Sequence, residues 1–142
     1  MKTLILDASV GIKWFFEEEM SQEARALLGQ LEKNEIKVLV PDIFFSEVAN
    51  TCWVRTKRKL STAHEANDAF NRAELLPVEI HSDHELSGVA LDNSLQFEIS
   101  AYDGLYLALA EIYVAPFVTA DRTLFDKCKG RFDFIEYLGD FK

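Results

Sequence analysis

The segment TLILDAS, residues Thr3 to Ser9, decides the fold because it joins an apolar strand directly to an acidic residue. Residues 3–6 form a short run of apolar and β-branched side chains, which is typical of a strand buried on both faces. Asp7 follows where the chain turns towards a predicted helix at residues 10–16. An acid in this position is either a helix N-cap or a functional group at the carboxyl end of a strand, and both interpretations stand for Asp7.

The rest of the chain repeats this alternation of short apolar strands and helices. We predict further strands at residues 37–40, 78–81, 117–119 and 132–136. We predict further helices at residues 21–33, 42–58, 62–76, 82–95 and 122–129, and one that starts at Ser100. This alternation predicts an α/β fold, a three-layer α/β/α sandwich with a parallel sheet of about five strands.

Length and composition indicate one domain, residues 1–142, with 49% hydrophobic residues to build a core. No apolar run is long enough for a signal peptide or a membrane span, so we expect a cytoplasmic protein without membrane contact. Cys52 and Cys128 are too few and too isolated for a disulfide framework or a zinc site. We interpret them as buried free thiols.

A net charge of −9 repels bare nucleic acid at long range, so a role on nucleic acid needs cations or a local basic patch. Residues 55–59 form such a patch, with Arg55, Lys57, Arg58 and Lys59 close to the predicted end of a helix. These cations either complement the helix dipole or contact phosphate or a partner.

The segment SAYDGLYLALAE, residues 100–111, is apolar on nearly every side of the predicted helix but has an acid in its first turn. Helical spacing predicts a buried stripe that comprises Tyr102, Leu105, Tyr106, Leu109 and Tyr113. Asp103 is either the partner of Ser100 in a capping-box-like arrangement or a functional carboxylate on a rigid, buried helix.

Two further acids fall at the same predicted edge of the sheet. Asp121 follows the strand at residues 117–119, where it is either a helix N-cap or a neighbour of Asp7 across the crevice. Glu47 lies inside a helix and is not an N-cap. Ile43 and Val54 share its side of the helix, which suggests partial cover, although a solvated face is an equal alternative.

Together, these four carboxylates indicate a metal site. Two carboxylates about 4 Å apart repel by roughly 4 kcal/mol at an effective dielectric constant near 20, so a cluster of them needs a cation. Oxygen-only ligation suits Mg²⁺ or Mn²⁺, and such an ion commonly activates water for attack on phosphate.

Four segments, in order, resemble the motif blocks of the PIN-domain family, particularly the VapC-like toxins of type II toxin–antitoxin pairs: ILDASVGIKWF, SEVANTCW, SAYDGLYLALAE and VTADRTLFDK. The resemblance covers essentially the whole chain and implies a Mg²⁺- or Mn²⁺-dependent endoribonuclease. Its acidic, metal-binding and catalytic positions fall on Asp7, Glu47, Asp103 and Asp121. The family's supporting hydroxyl positions fall on Ser9 and Thr119. Gly104 departs from the family pattern, which more usually has alanine there.

The resemblance also implies partners. A small antitoxin is expected over or beside the acidic rim, with an Arg or Lys among the carboxylates, and a homodimer is expected too. Aromatic residues at 14–16 or around Trp53 serve such contacts or pack in the core. For the RNA substrate, the candidate phosphate contacts are Lys13, Arg55, Lys57, Arg58 and Arg122.

Other functions are open to the same fold. A PIN-fold module that binds nucleic acid or protein with little or no catalysis is one alternative. A phosphatase of the haloacid-dehalogenase type is disfavoured, because it needs a second Asp where this sequence has Ser9. A receiver-type phosphoacceptor is disfavoured because the strand at residues 78–81 ends in His81.

One further group of polar residues and one further acid are not assigned to the site. The group at residues 81–85 contains His81, Asp83, His84 and Glu85, and a turn followed by a capped helix explains it more simply than a metal. Asp126 is interpreted as an exposed residue of a short helix rather than as a fifth acid.

Overall fold

The strand β1, Lys2–Leu6, lies at the centre of a five-stranded sheet in which every strand pair is parallel. The computed structural model describes residues 1–141. The other strands are β2 (Ile36–Pro41), β3 (Glu79–His81), β4 (Phe117–Thr119) and β5 (Ile135–Tyr137). The helices in this part of the chain are α1 (Ala8–Gly11), α2 (Ser21–Glu32), α3 (Ile43–Lys57), α4 (Ala63–Glu74), α5 (Asp83–Phe97), α6 (Ala101–Tyr113) and α7 (Arg122–Cys128). The predicted α/β class and the parallel sheet are confirmed.

The strand order is β3-β2-β1-β4-β5, so the direction of winding reverses between β1 and β4. In this pair Ile5 aligns with Phe117, and Leu6 aligns with Val118. The residues that follow β1 and β4 therefore leave the sheet side by side at its carboxyl edge. In open parallel sheets, this reversal point is where ligands bind.

Helices cover both faces of the sheet, because strands such as β1 have apolar side chains on both faces. Leu4 and Leu6 point into a core built with α1 to α4, whereas Ile5 points into a second core built with α5, α6 and α7. All three side chains are fully buried. Successive side chains of a strand alternate between faces, so a strand that is apolar at every position requires cover on both sides.

Trp14 packs in the core, which excludes it as an exposed partner contact. Its indole Nε1 donates a hydrogen bond to the carbonyl of Ala24 at 2.9 Å. The predicted helix at residues 10–16 is wrong in detail. It starts earlier, as α1, and continues as a 3₁₀ turn at Ile12–Trp14, because the Asp7 side chain caps its N-terminus by accepting from the Val10 amide.

The predicted buried stripe of α6 is wrong at both ends. Tyr102 is 62% exposed and Tyr113 is 46% exposed, while residues 104–110 are all buried. The buried residues surround the helix because its middle passes between the sheet and α5, where no side of it faces solvent. A single stripe therefore describes the helix poorly.

The last strand also differs from the prediction at residues 132–136. β5 comprises only Ile135–Tyr137, and Phe132 instead packs edge-on against Phe97 and Phe134. Hydrophobicity at Phe132 thus reflects packing against α5 rather than pairing in the sheet.

Other local predictions are confirmed. Thr62 and Glu65 form a reciprocal capping box at the start of α4, and Ser82 caps α5 by accepting from the Glu85 amide. Cys52 and Cys128 are buried free thiols. Trp53, in contrast, is 58% exposed on α3. Within residues 1–141, none of the helices combines the length and apolar character that crossing a membrane requires.

Candidate active site

The fold brings the four predicted acids to one edge of the sheet. Asp7 follows β1, Asp121 follows β4, Asp103 lies in the first turn of α6 and Glu47 lies on α3. Their charges interact: Glu47 and Asp103 raise the pKa of Asp7, Asp103 raises the pKa of Glu47, and Asp121 raises the pKa of Asp103. The pairing of β1 with β4 confirms that the strands preceding Asp7 and Asp121 are neighbours.

Asp7 is the buried centre of the cluster, with 7% of its surface exposed. Burial is the main reason why its pKa rises to about 7, and hydrogen bonds from Ser9 and Thr119 oppose that rise. A buried carboxylate surrounded by other acids is costly to ionise. Burial therefore favours the protonated form of Asp7 up to near-neutral pH in the metal-free protein.

Ser9 and Thr119 hold the Asp7 carboxyl group in place. The Ser9 hydroxyl donates to Oδ1, and the fully buried Thr119 hydroxyl donates to Oδ2 at 2.6 Å. Both hydroxyls also accept from backbone amides after β4: Ser9 from Ala120 at 2.9 Å and Thr119 from Asp121 at 3.1 Å. These contacts connect the end of β1 to the end of β4, which orients Asp7 relative to Asp121.

Asp103 and Asp121 retain the helix-capping geometry predicted as their alternative. The amide of Asp103 donates to the hydroxyl of Ser100 at 3.1 Å, and the Asp121 carboxylate accepts from the amide of Leu124 at 3.1 Å. Burial is the main cause of the raised pKa of Asp103, whereas Asp121 is exposed. Capping and a role in the cluster are therefore compatible, because a capped helix start is a rigid support.

Glu47 is half-buried, so the predicted partial cover of its side of α3 is confirmed. The hydroxyl of Tyr106 donates to Glu47 Oε1 at 2.6 Å, and the Tyr106 ring stacks on Phe117 with centroids 5.5 Å apart. Burial raises the pKa of Glu47, and the Tyr106 hydrogen bond opposes this. Sequence reasoning assigned Tyr106 to the core only. The missed signal is that a buried tyrosine hydroxyl requires a polar partner.

The donor set fits a hard divalent cation, since it consists of carboxylate oxygens. Among residues 1–141, no group of three or more His, Cys, Asp or Glu side chains is already gathered tightly enough to hold a metal ion. Mg²⁺ commonly uses only one or two carboxylates and completes its shell with water and substrate phosphate. The assignment of the four acids as metal ligands stays a prediction.

The predicted phosphate contacts occupy different environments. Lys13 is buried and pairs with Glu18 at 3.3 Å, and Arg55 pairs with the same carboxylate at 2.8 Å. Glu18 was missed because Arg55 lies 37 residues away on α3, and because the contact with Lys13 forms across an irregular segment that has no helical or strand spacing. The remaining three, Lys57, Arg58 and Arg122, are exposed.

A groove of about 520 Å³ lies along α3, and Glu47 is the one of the four acids that lines it. Ser9, Glu47 and Ala120 line it near the acids, and Lys13 and Glu18 line it further away. Ser46, Asn50 and Thr51 add polar side chains from α3. This volume lies within the usual range for ligand pockets.

The residues left out of the site have structural contacts. Asp83 accepts a hydrogen bond from the Ile43 amide at 3.2 Å and so caps α3. The His81 Nε2 atom lies 2.7 Å from Glu79 Oε2. Asp126 pairs with Arg122 at 3.4 Å and with Lys129 at 3.1 Å.

Residues 4–130 match the sequence model of the PIN domain. The chain is also 30% identical, over 126 residues, to Ribonuclease VapC3 of Pyrobaculum aerophilum. That match covers 87% of this chain and 93% of the relative.

Two solved structures share the fold. PAE2754 from Pyrobaculum aerophilum superposes with a TM-score of 0.69 at 20% identity, covering 97% of this chain and 85% of that one. A toxin–antitoxin complex from Klebsiella pneumoniae contains a chain with a TM-score of 0.66 at 15% identity, covering 95% and 97% respectively. At these identities the likeness concerns the fold.

Proposed function

This chain belongs to the PIN-domain family, and from that premise we propose that it is a divalent-metal-dependent endoribonuclease and the toxin of a toxin–antitoxin pair. The relative that is 30% identical carries the name ribonuclease, which supports hydrolysis of RNA phosphodiester bonds. The toxin role is supported by the fold shared with a chain of the Klebsiella toxin–antitoxin complex.

One observation carries the proposal: the four acids lie at the carboxyl edge of the sheet near its reversal point, and the charges of Glu47 and Asp103 act on the buried Asp7, whose pKa is about 7. A purely structural role explains such a cluster poorly, because the mutual repulsion of the acids opposes folding. Perturbed acids in a cleft are typical of functional sites.

In this mechanism the residues that would hold Mg²⁺ or Mn²⁺ are Asp7, Glu47, Asp103 and Asp121. When bound, the ion supplies a water of lowered pKa and stabilises negative charge on the leaving oxygen. Ser9 and Thr119 orient Asp7, and Tyr106 orients Glu47. Such outer partners fix the direction of ligand oxygens.

We further propose that an antitoxin covers the acidic edge and places a basic side chain among the carboxylates. Exposed apolar side chains are available for this contact and for the proposed homodimer. They include Trp53 on α3, Leu91 and Leu95 on α5, and Ile112 on α6, each more than half exposed. Light scattering of the purified chain, alone and with the candidate antitoxin, tests both assemblies.

The central experiment is cleavage of a structured RNA pool by the purified protein in Mg²⁺, in Mn²⁺ and in excess EDTA. We expect cleavage with either ion and none in EDTA. Asp7→Asn and Asp103→Asn should lose cleavage while they remain folded. Asp92→Asn is the matched control, because Asp92 is an exposed acid on α5, and it should cleave like the wild type.

Cleavage that survives EDTA, or full activity in Asp7→Asn, contradicts the proposed metal mechanism. RNA binding without any cleavage by the wild type would instead identify a PIN-fold binding module.

A further inference from the structure

Two residues that line the groove, Lys13 and Glu18, form an ion-paired triad with Arg55. Glu18 Oε1 accepts from Lys13 Nζ at 3.3 Å, and Oε2 accepts from Arg55 at 2.8 Å. The side chains of Lys13 and Arg55 are only 11% and 17% exposed, whereas that of Glu18 is 27% exposed. The two cations are thus withdrawn from water more completely than the carboxylate that joins them.

Arg55 has contacts that do not involve Glu18. The Arg55 guanidinium lies over the Phe16 ring at 4.1 Å and donates through Nε to the Ser61 hydroxyl at 3.0 Å. Lys13 belongs to the buried 3₁₀ turn that follows α1. If the Glu18 side chain rotated into solvent, these contacts would hold the Arg55 guanidinium in place, and the buried turn would keep the backbone of Lys13 beside the groove.

The charges that line the groove show how the position of Glu18 affects the binding of RNA. In the part of the chain that the structure describes, Lys13 is the one basic residue that lines the groove, while Glu18 and Glu47 are acidic. While Glu18 stays in place, an RNA backbone that enters the groove therefore meets the negative charges of both Glu47 and Glu18. Neutralised phosphates are the dominant source of affinity for nucleic acid, so the groove needs free cations.

We propose that Glu18 occupies in the free protein the position of an RNA backbone phosphate, and that RNA entering the groove displaces it from Lys13 and Arg55. A carboxylate and a phosphate offer the same kind of acceptor oxygens to ammonium and guanidinium groups. Lys13 and Arg55 then form a phosphate subsite, which the Glu18 carboxylate occupies when no RNA is bound. This inference rests on the proposed ribonuclease function, because it assumes that the ligand of the groove is RNA.

Binding of a fluorescent single-stranded oligoribonucleotide of ten nucleotides, in Mg²⁺ at low salt, tests the subsite. All proteins carry Asp103→Asn, so that the RNA stays intact whether or not the wild type cleaves it. Adding Glu18→Gln should tighten binding about tenfold, the scale of one charge-assisted contact. Adding Lys13→Met to that protein should remove the gain.

Glu17→Gln is the matched control, because it makes the same change of charge one residue away. Glu17 is exposed and pairs with Arg25 rather than with the groove cations. Its effect on binding should stay below about twofold, as expected for a screened surface charge. Equal effects of Glu17→Gln and Glu18→Gln, or unchanged or weaker binding by Glu18→Gln, would overturn the proposal.

A second measurement covers the case in which Glu18→Gln unfolds. Lys13→Met leaves the Glu18–Arg55 pair intact and keeps an apolar stem in the buried turn. For RNA binding by Lys13→Met, the slope of log K against log salt concentration should be smaller in magnitude by about 0.7, the value for one phosphate contact to a single strand. An unchanged slope would overturn the subsite. Failure of cleavage by the wild type, with these binding results intact, would refute the ribonuclease proposal and keep the subsite.

Discussion

The Tyr106 hydroxyl donates a hydrogen bond to Glu47 Oε1 across 2.6 Å, which joins the buried helix α6 to the acidic residue of α3. Tyr106 is fully buried and its ring stacks on Phe117 of β4, so the hydroxyl has little freedom to move. The same helix carries Asp103 one turn earlier. Two of the four acids are therefore positioned by one rigid element.

Tyr106→Phe should weaken metal binding and cleavage about 10- to 100-fold, the range typical of lost outer partners of a metal ligand. Loss of the Tyr106 hydroxyl should also raise the pKa of Glu47, because the hydrogen bond from that hydroxyl opposes the effect of burial. Titration with Mn²⁺, followed by calorimetry, measures the affinity. Tyr113→Phe removes a more exposed hydroxyl from the end of the same helix and should behave like the wild type. Equal affinities for all three proteins would refute the positioning role.

The stability of the metal-free protein should depend on pH through Asp7. Its pKa is about 7 in the folded state and near 3.8 when unfolded, so the folded state binds the extra proton between these values. The stabilising effect of that proton is complete below pH 3.8 and is lost as the pH rises to about 7. The loss amounts to at most about 4 kcal/mol.

Asp7→Asn removes this dependence and keeps a good helix cap. In EDTA, the variant should gain thermal stability over the wild type as the pH rises from 5 to 8. Added Mg²⁺ at pH 8 should stabilise the wild type but not the variant. Thermal unfolding at both pH values measures these effects, and a difference that does not change with pH would argue against the burial of an ionisable Asp7.

Thr119→Val should move the acidic limb of the pH–activity profile to higher pH. The Thr119 hydroxyl donates to Asp7 and lowers its pKa, so removing the hydroxyl makes Asp7 harder to ionise. Protons then compete with the metal up to a higher pH. Thr119→Ser keeps the hydroxyl and should leave the profile in place, whereas a similar shift in both variants would point to packing as the cause.

Gly104→Ala should destabilise the protein, although alanine is more usual at this position in the family. A Cβ atom at Gly104 would lie 2.5 Å from the carbonyl oxygen of Ala90, because α5 and α6 approach each other closely there. Overpacking of this kind costs about 1–3 kcal/mol.

Gly88→Ala is the matched control within α5, since a Cβ atom there meets nothing within 4 Å. It should stabilise the protein by up to about 1 kcal/mol, the difference in helix propensity. Denaturant unfolding compares the two variants. A stable Gly104→Ala protein with wild-type activity would show that the close approach of the helices is not required.

Local sequence patterns predicted most of the fold for identifiable reasons. The apolar run of β1 is short and ends at Asp7, which indicates a strand buried on both faces and hence a sheet covered by two layers of helices. Thr62 and Glu65 marked a helix start because capping is a contact between residues close in sequence. The four acids were found by the same kind of local evidence.

The errors occurred where burial depends on distant neighbours. Tyr102 and Tyr113 have the spacing of a buried stripe, but they extend past the part of α6 that the sheet and α5 cover. Phe132 is apolar like a strand residue, but its partner is Phe97 on a helix. Helical and strand periodicity describe one element and carry no information on which neighbour it meets.

The sequence by itself determined the α/β class, the strands, the caps and the positions of Asp7, Glu47, Asp103 and Asp121 along the chain. Hydrophobic patterning and helix capping involve residues close in sequence, so they can be recognised from the sequence alone. Only the tertiary structure decided that Tyr106 holds Glu47, that Glu18 holds Lys13 and Arg55, and that burial raises the pKa of Asp7 to about 7. These properties depend on the distances between side chains and on the exclusion of water, and both arise only when the sheet and its helices pack.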